Sequence, residues 1–147
     1  MLCFIVKDGR ILLIRKKRGL GAGKITAPGG RIESGESAKQ AAHRETREEV
    51  GLTPLGLAQA GVLFFQFADG YTLDCTVFTA LGAEGDMVET EEAAPFWTEV
   101  SAIPYADMWA DDEHWMPLML AGKPFRGHFR YDGDRMLSAR VEPGDGA

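Results

Sequence analysis

One segment carries three glutamates at helical spacing, and it constrains the fold more than any other part of the chain. Ser37–Val50 is rich in Ala, Lys, Gln, Arg and Glu, which favour a helix, and Gly51 follows where a helix-terminating glycine belongs. Glu45, Glu48 and Glu49 occupy positions i, i+3 and i+4, so neighbouring Cβ atoms on one helix face lie about 5–6 Å apart. The sequence therefore predicts a helix that presents a cluster of carboxylates.

Three neighbouring carboxylates repel one another, so we expect a positive group beside them. Arg44 and Arg47 can offset part of this repulsion. A divalent cation offsets more, and carboxylate oxygens without Cys or His ligands select Mg²⁺, Mn²⁺ or Ca²⁺. The alternative is a solvent-exposed acidic helix face that pairs with Lys39 or Arg44, because most runs of charge face solvent. The spacing of the three glutamates does not decide between these two interpretations.

Residues on both sides of the glutamates extend the pattern into one that resembles a known family signature. The pattern is Gly30, five residues, Glu36, seven residues, Arg44-Glu45-Thr46, one residue, Glu48-Glu49, one residue and Gly51-Leu52. It is similar to the Nudix box, which marks hydrolases acting on nucleoside diphosphates linked to another moiety. The one departure is Thr46, where a larger aliphatic residue is usual; threonine is still β-branched and can pack.

The resemblance implies a role for each residue of the box. The groups that would hold Mg²⁺, or Mn²⁺ in its place, are the side chains of Glu45, Glu48 and Glu49 and the carbonyl of Gly30. Arg44 would hold a ligand carboxylate in place, Glu36 would pair with Arg44, and Gly51 would be structural. Without the resemblance, Gly30 is equally a simple turn glycine and Glu36 a first-turn glutamate that favours the helix dipole.

The reaction that the resemblance implies is hydrolysis of a phosphoanhydride, in which metal ions neutralise phosphate charge and activate a water. In this family a loop glutamate often assists as a base, and Glu92 is the candidate, with Glu89 and Glu91 as rivals. Lys16, at the end of the second predicted strand, is the candidate phosphate contact. The predicted catalytic set is therefore Glu49, Glu48, Glu45, Arg44 and Glu92. The plain alternatives are an exposed acidic loop and an ordinary surface lysine.

Beyond the box, Ile103–Leu120 resembles the MutT-homologue branch of the family, which clears oxidised purine nucleoside triphosphates. In that branch the residues matching Trp109, Asp111 and Asp112 stack on the base and bind its edge. An indole face stacks on any purine. If the two aspartates converge, their repulsion raises one apparent pKa and leaves a carboxyl that can also donate. The alternative is that Asp111 caps a helix, Asp112 favours its dipole and Trp109 is core.

Two further residues complete the predicted base pocket. Phe65 is expected to form a wall, although aromatic strand residues are more often plain core. Thr26 stands where the mammalian-type enzymes of this branch carry an asparagine that binds the base. Threonine offers one hydroxyl in place of an acceptor and two donors, so this departure bears on selectivity for the oxidised base.

The resemblance thus predicts hydrolysis of oxidised purine triphosphates such as 8-oxo-dGTP to a monophosphate and pyrophosphate. One alternative is a Nudix hydrolase for an ordinary nucleoside triphosphate, a dinucleoside polyphosphate or ADP-ribose. The other is a non-catalytic module that binds a nucleotide, but such modules usually lose box carboxylates, and all are present here.

The composition of the chain argues against some classes of binding partner and favours one cell compartment. The 147 residues include 22 acidic and 16 basic side chains, a net charge of −6, which argues against binding of a nucleic-acid polymer. No apolar run approaches a signal peptide or a transmembrane span. Cys3 and Cys75 are expected to be buried free thiols in a reducing cytoplasm. We expect a cytoplasmic monomer or weak homodimer that binds a nucleoside triphosphate and no membrane.

Short apolar runs separated by turn signals predict an α/β (α+β) chain. We expect one domain over residues 1–141 and a frayed tail over 142–147. The resemblance adds the Nudix fold, a mixed β-sheet sandwiched between helices. The predicted elements are strands at Met1–Lys7, Arg10–Lys16, Ala27–Ile32, Leu57–Phe67, Tyr71–Ala80, Pro95–Val100, Phe125–Tyr131 and Met136–Val141, helices at Ser37–Val50 and Asp111–Ala121, and an acidic loop at Gly82–Glu92.

Overall fold

The computed structural model of the chain describes residues 1–144 and contains ten strands and two α-helices over that range. The strands are β1 (Leu2–Lys7), β2 (Arg10–Lys16), β3 (Ile25–Thr26), β4 (Leu52–Leu55), β5 (Ala58–Phe67), β6 (Thr72–Ala80), β7 (Gly82–Gly85), β8 (Ala93–Glu99), β9 (Phe125–Asp132) and β10 (Arg135–Pro143). The helices are α1 (Ala38–Val50) and α2 (Asp112–Leu120). Two 3₁₀ turns, Val100–Ala102 and Tyr105–Asp107, precede α2.

Eight of the described strands form one mixed sheet in the order β10-β9-β5-β6-β1-β2-β3, with β8 paired to β2 along its length. The β1–β6 and β5–β9 pairs are parallel, and the other pairs of this sheet are antiparallel. Parallel pairs need long connections, and here the segment that contains α1 and the segment that contains α2 supply them.

Alternate residues of the central strands point to opposite faces of the sheet, and each face is covered by one helix. On β1, Cys3 and Ile5 belong to the core cluster that includes Ala41 of α1. Phe4 belongs to the cluster that includes Trp115 of α2, and the two rings meet edge to face at 5.8 Å. This confirms the predicted fold of a mixed sheet between helices.

Helix α1 is stabilised by local groups at both ends. Ser37 Oγ accepts from the backbone N–H of Gln40 at 3.0 Å, and Gln40 Oε1 accepts from the N–H of Ser37 at 2.8 Å, which is a capping box. Gly51 ends the helix with a φ of 79°, where a side chain would meet Asp86 O at 2.6 Å. The buried residues of α1 are Ala41, Ala42, Thr46 and Val50, and Thr46 packs as expected.

Near the site, one predicted strand is wrong and one predicted helix is confirmed without its side-chain cap. Ala27–Ile32 is not a strand: pairing ends with β3, and beyond it only the isolated Leu2–Gly29 bridge lies in this segment. Pro28 has no N–H for a ladder, and the N–H of Gly30 donates to Met1 O at 3.1 Å. The predicted second helix is present as α2 with Asp111 at its N-cap position, but the side chain of Asp111 makes no capping hydrogen bond.

Two further boundaries differ because long-range pairing extends strands into segments with weak local signals. The acidic loop predicted from Gly82 instead begins as β7, which pairs with β4 in a separate two-stranded ribbon. Strand β8 begins at Ala93, two residues before the predicted Pro95, because it pairs with β2 up to Lys16.

The last hairpin is longer than predicted. Strand β10 continues through Glu142 and Pro143, and the N–H of Gly144 donates to Pro124 O at 3.1 Å. Residues 145–147 of the predicted tail lie outside the described residues. Over residues 1–144, no helix combines the length and the apolar character needed to cross a membrane.

Candidate functional site

One cavity of about 740 Å³ brings residues from the box and from the predicted base pocket together. The predicted site residues that line it are Lys16, Thr26, Gly30, Glu49, Phe65, Trp109, Asp111 and Asp112. Its volume lies in the range of roughly 300–1,000 Å³ that small-molecule sites occupy. The fold therefore joins a carboxylate end and an aromatic end in one space.

Arg44 lies at the centre of the box and contacts three of its carboxylates. Its Nε and Nη2 donate to the two oxygens of Glu36 at 2.7 and 2.9 Å, a bidentate pair that lowers the pKa of Glu36 to about 2, together with the Glu33 N–H. Its Nη1 donates to Glu45 at 2.8 Å and to Glu48 at 3.3 Å. Arg44 thus fixes the loop that carries Glu36 to the helix and orients Glu45.

The three helical glutamates do not have equivalent surroundings. Glu48 turns toward Arg44 and solvent, with a side chain 59% exposed against 17% for Glu45. Glu49 reaches into the cavity, where the Gly29 N–H donates to it at 3.4 Å. Among residues 1–144, no three acidic, histidine or cysteine side chains converge closely enough to enclose an ion.

Glu49 has the most perturbed carboxyl group of the box. Burial, followed by the adjacent Glu45 carboxylate, raises the pKa of Glu49 to about 8, although the Gly29 N–H and the Lys16 ammonium favour its charged form. Two carboxylates held together at the edge of a cavity form a set of hard oxygen donors that suits a divalent cation.

Because Gly30 has no side chain, the Glu45 carboxylate can lie directly against its backbone. A Cβ at position 30 would lie 2.5 Å from Glu45 Cδ, so any side chain there would displace the carboxylate. The carbonyl of Gly30 accepts from the N-terminal ammonium of Met1 at 2.8 Å. This close approach of backbone to carboxylate gives a physical reason for the glycine of the box.

The structure places Lys16 in the cavity but not Glu92. Lys16 lies close enough to Glu49 to favour its charged form. The Glu92 carboxylate instead binds Arg18, whose Nε donates to it at 2.8 Å, and this guanidinium lowers the pKa of Glu92. The rival Glu89 accepts from Lys17 at 2.5 Å. The acidic loop is therefore bound to the glycine-rich loop over residues 17–24, which joins β2 to β3, and its carboxylates do not face the cavity.

At the aromatic end, Asp111 and Asp112 are both buried, with 2% and 5% of their surface exposed. Trp115 Nε1 donates to one oxygen of Asp111 at 2.8 Å, and the Tyr131 hydroxyl donates to the other at 2.5 Å. Burial and then the Asp111 carboxylate raise the pKa of Asp112 well above its usual range. Burial raises the pKa of Asp111 as well, but the hydrogen bonds from Tyr131 and Trp115 favour its charged form. Asp111 is thus the acceptor of the pair, and Asp112 is the member whose neutral form is more strongly favoured.

The sequence analysis missed Tyr131 and Trp115, the two residues whose side chains donate hydrogen bonds to Asp111. Tyr131 alternates with Phe129 along β9, a pattern that predicts an inward ring but not the partner of its hydroxyl. Tyr131 also meets the indole of Trp109 edge to face at 5.3 Å, and Phe65 stacks on Phe129.

Comparisons with known proteins agree with this geometry. Residues 1–119 match the family described as the NUDIX domain. The chain is 44% identical to an "Oxidized purine nucleoside triphosphate hydrolase" of Danio rerio over 92% of this chain and 88% of that protein. It is 40% identical to the protein of that name from Mus musculus, over 93% and 89%.

Among solved structures, the chain is similar to a MutT protein from Bacillus halodurans, with a TM-score of 0.87 and 28% identity over 98% of this chain and 97% of that one. The family match covers the box, strands β1 to β8 and most of α2. The chain belongs to the Nudix family of hydrolases.

Proposed function

We propose that this chain hydrolyses oxidised purine nucleoside triphosphates such as 8-oxo-dGTP, releasing the nucleoside monophosphate and pyrophosphate. The observation that carries the proposal is the single cavity that connects Glu49 and Lys16 with Trp109 and the aspartate pair. A nucleotide needs an apolar, hydrogen-bonding site for its base and a charged site for its phosphates, and this cavity offers both. The names of the two vertebrate relatives support the same substrate class.

At the aromatic end, the Trp109 indole stacks on the purine. Asp111 accepts from a base N–H, and the protonated carboxyl of Asp112 donates to a base oxygen or nitrogen. Phe65 forms an apolar wall, and the Thr26 hydroxyl supplies a further polar contact. One acceptor beside one donor matches neighbouring N–H and C=O groups on a guanine-type edge.

At the other end, the residues present fit a divalent metal ion, which Nudix hydrolases generally need. Glu49 and Glu45 lie together, Gly30 leaves room beside them, and the donors are hard oxygens, which suits Mg²⁺ or Mn²⁺. Glu48 and the Gly30 carbonyl are the further groups assigned to hold the ion. When bound, the metal neutralises phosphate charge and lowers the pKa of a coordinated water.

The remaining roles follow from the contacts. Lys16 binds a phosphate oxygen, Arg44 positions Glu45 and Glu48, and Glu36 holds Arg44 through two hydrogen bonds. Glu49, as the carboxylate that faces the cavity, orients the attacking water. Glu92 remains a predicted base whose participation requires release from Arg18.

A substrate panel with Mg²⁺ tests the proposal. We expect 8-oxo-dGTP to be hydrolysed to a monophosphate and pyrophosphate, with kcat/KM at least about tenfold above that for dGTP, since a well-placed hydrogen bond discriminates by about that factor. Glu49→Gln should abolish hydrolysis, and Glu84→Gln, on the exposed strand β7, is the matched control. Equal kcat/KM for oxidised and normal dGTP contradicts the proposed specificity. Faster hydrolysis of ADP-ribose or a dinucleoside polyphosphate supports the alternative substrates.

The cellular setting is part of the same proposal. Cys3 and Cys75 are both free and buried, which favours a reducing compartment such as the cytoplasm. We propose that the chain acts there as a monomer or weak homodimer on free nucleotides. Sedimentation at several protein concentrations measures the oligomeric state.

A further inference from the structure

The glycine-rich loop over residues 17–24 packs against Trp109. The Gly21 backbone approaches so closely that a Cβ there would lie 2.7 Å from Trp109 Nε1 and 3.2 Å from Cε2 and Cζ2. The ammonium of Lys24 lies over the ring, 5.1 Å from its centroid. Trp109 lines the cavity, whereas neither Gly21 nor Lys24 does. Gly19 and Leu20 of the same loop also line it, so the loop contributes to the cavity wall as well as to the contact with the indole.

The loop is itself anchored, so it can act as a fixed support. Arg15 donates to the Gly23 carbonyl at 2.7 Å, and the Gly23 N–H donates to Lys16 O at 2.7 Å. These bonds tie the loop to β2. Lys24 also pairs with Asp134, in the turn between β9 and β10, at 3.4 Å.

Two aromatic rings also contact the indole. Phe67 meets Trp109 edge to face at 6.4 Å, and Tyr131 does so at 5.3 Å. Gly21 at the Nε1 edge and Lys24 over the ring supply the contacts on the loop side. A side chain held in this way loses little conformational freedom when a ligand binds, which favours affinity.

We propose that Gly21 and Lys24 are positioning residues for base recognition, which hold the Trp109 indole so that the face free of the ammonium receives the purine. This inference rests on the proposed function, because it assigns base stacking to Trp109. It adds that the glycine-rich loop acts on the base end of the cavity through Trp109. Lys24 strengthens the arrangement by a cation–π contact, and Gly21 does so by leaving space for the indole edge.

Two glycine variants separate this role from backbone strain. Gly21 and Gly23 have φ values of +81° and +89°, so alanine introduces comparable strain at both positions. A Cβ at Gly23 meets nothing within 4 Å, whereas one at Gly21 collides with the indole. Gly21→Ala is therefore the test variant, and Gly23→Ala is its control.

The first measurement is the Trp109 indole N–H resonance, identified by its loss in Trp109→Phe. We expect Gly21→Ala to shift this resonance and Gly23→Ala to leave it in place. The second measurement is steady-state kinetics with 8-oxo-dGTP. Gly21→Ala should raise KM by about fivefold or more, with a smaller change in kcat, because part of a base–aromatic stack is lost. The KM of Gly23→Ala should stay within about twofold of the unaltered value.

A second variant gives an answer even if Gly21→Ala does not fold. Lys24→Met removes the ammonium and keeps an unbranched chain, and Lys39→Met, on the exposed face of α1, is its control. We expect Lys24→Met to raise KM by about two- to fivefold, the range of a partly exposed cation–π contact. Equal KM values for Lys24→Met and Lys39→Met contradict the role of Lys24.

Trp109→Ala separates failure of this inference from failure of the proposed function. If Trp109→Ala raises KM while Gly21→Ala and Gly23→Ala give the same resonance and the same KM, the positioning role of Gly21 is overturned and stacking stands. If Trp109→Ala leaves KM unchanged, the stacking role in the proposed function is overturned, and this inference falls with it.

Discussion

The phenolic hydroxyl of Tyr131 donates a hydrogen bond to Oδ1 of Asp111 across 2.5 Å inside the core. The backbone N–H of Asp111 donates in turn to the same hydroxyl at 2.9 Å, so these residues, 20 positions apart, are joined by two hydrogen bonds. Because Trp115 donates to the second oxygen, Asp111 accepts on both sides. Burial and the Asp111 carboxylate raise the pKa of the adjacent Asp112 well above its usual range, so the pair is unequal: Asp111 accepts two side-chain hydrogen bonds, and Asp112 favours its neutral form.

Tyr131→Phe removes the hydroxyl and little else, and we expect it to destabilise the fold. The loss leaves one oxygen of Asp111 and its N–H without this partner, which costs about 1–3 kcal/mol for a buried hydrogen bond to a charged group. Urea unfolding measures the free energy. Tyr71→Phe, a tyrosine 40% exposed, is the control and should change stability by less than about 0.5 kcal/mol. Equal losses in both variants contradict the prediction.

Asp112→Asn is expected to flatten the pH dependence of stability. The folded-state pKa of Asp112 lies above the unfolded value, so its stabilising contribution is complete below about pH 4 and is lost as pH rises through the folded pKa. The free energy of unfolding of the unaltered chain should fall over that range by up to about 1.4 kcal/mol per pH unit for one proton.

Asparagine does not titrate, so the free energy of unfolding of Asp112→Asn should fall less steeply above about pH 4. Urea titrations at several pH values measure both slopes. Asp107→Asn, on the exposed turn before α2, should keep the slope of the unaltered chain. A slope for Asp112→Asn equal to that of Asp107→Asn shows that Asp112 is ionised in the folded chain and contradicts the assignment.

Arg44→Lys should weaken catalysis although the charge is kept. Lysine cannot form the bidentate pair with Glu36 while also contacting Glu45 and Glu48. We expect kcat/KM to fall by about 10- to 100-fold, the usual effect of losing a group that orients metal ligands, and the Mg²⁺ concentration for half-maximal activity to rise. Arg47→Lys, on the same helix, should stay within about twofold. Similar losses in both variants contradict the positioning role.

Glu92→Gln should cost much less activity than Glu49→Gln. The Glu92 carboxylate is bound to Arg18 outside the cavity, whereas Glu49 lines it. We expect less than about tenfold loss in kcat for Glu92→Gln and at least about a hundredfold loss for Glu49→Gln, the scale of a lost acid–base or water-orienting group. Glu91→Gln, with a side chain 90% exposed, is the control in the same loop. If Glu92→Gln matches Glu49→Gln, the loop brings Glu92 into the cavity during turnover.

The amino-acid sequence by itself determined the features that depend on interactions between residues close together in the chain. Helix α1, its Ser37 cap and its Gly51 end follow from local hydrogen bonds and helical periodicity, and so does the projection of Glu45, Glu48 and Glu49 from one side. The hairpins also follow from local turn signals, as for the Asp8-Gly9 turn between β1 and β2.

Tertiary structure alone decided which distant groups meet. Glu92 binds Arg18 across 74 positions, and Asp111 binds Tyr131 across 20, and neither pairing has a local signal. Strand β7 forms only because β4 lies beside it, so a stretch with loop composition becomes a strand. The physical reason is that periodicity and caps report short-range energies, whereas a buried carboxyl takes its partner and its proton from whatever the packed sheet places next to it.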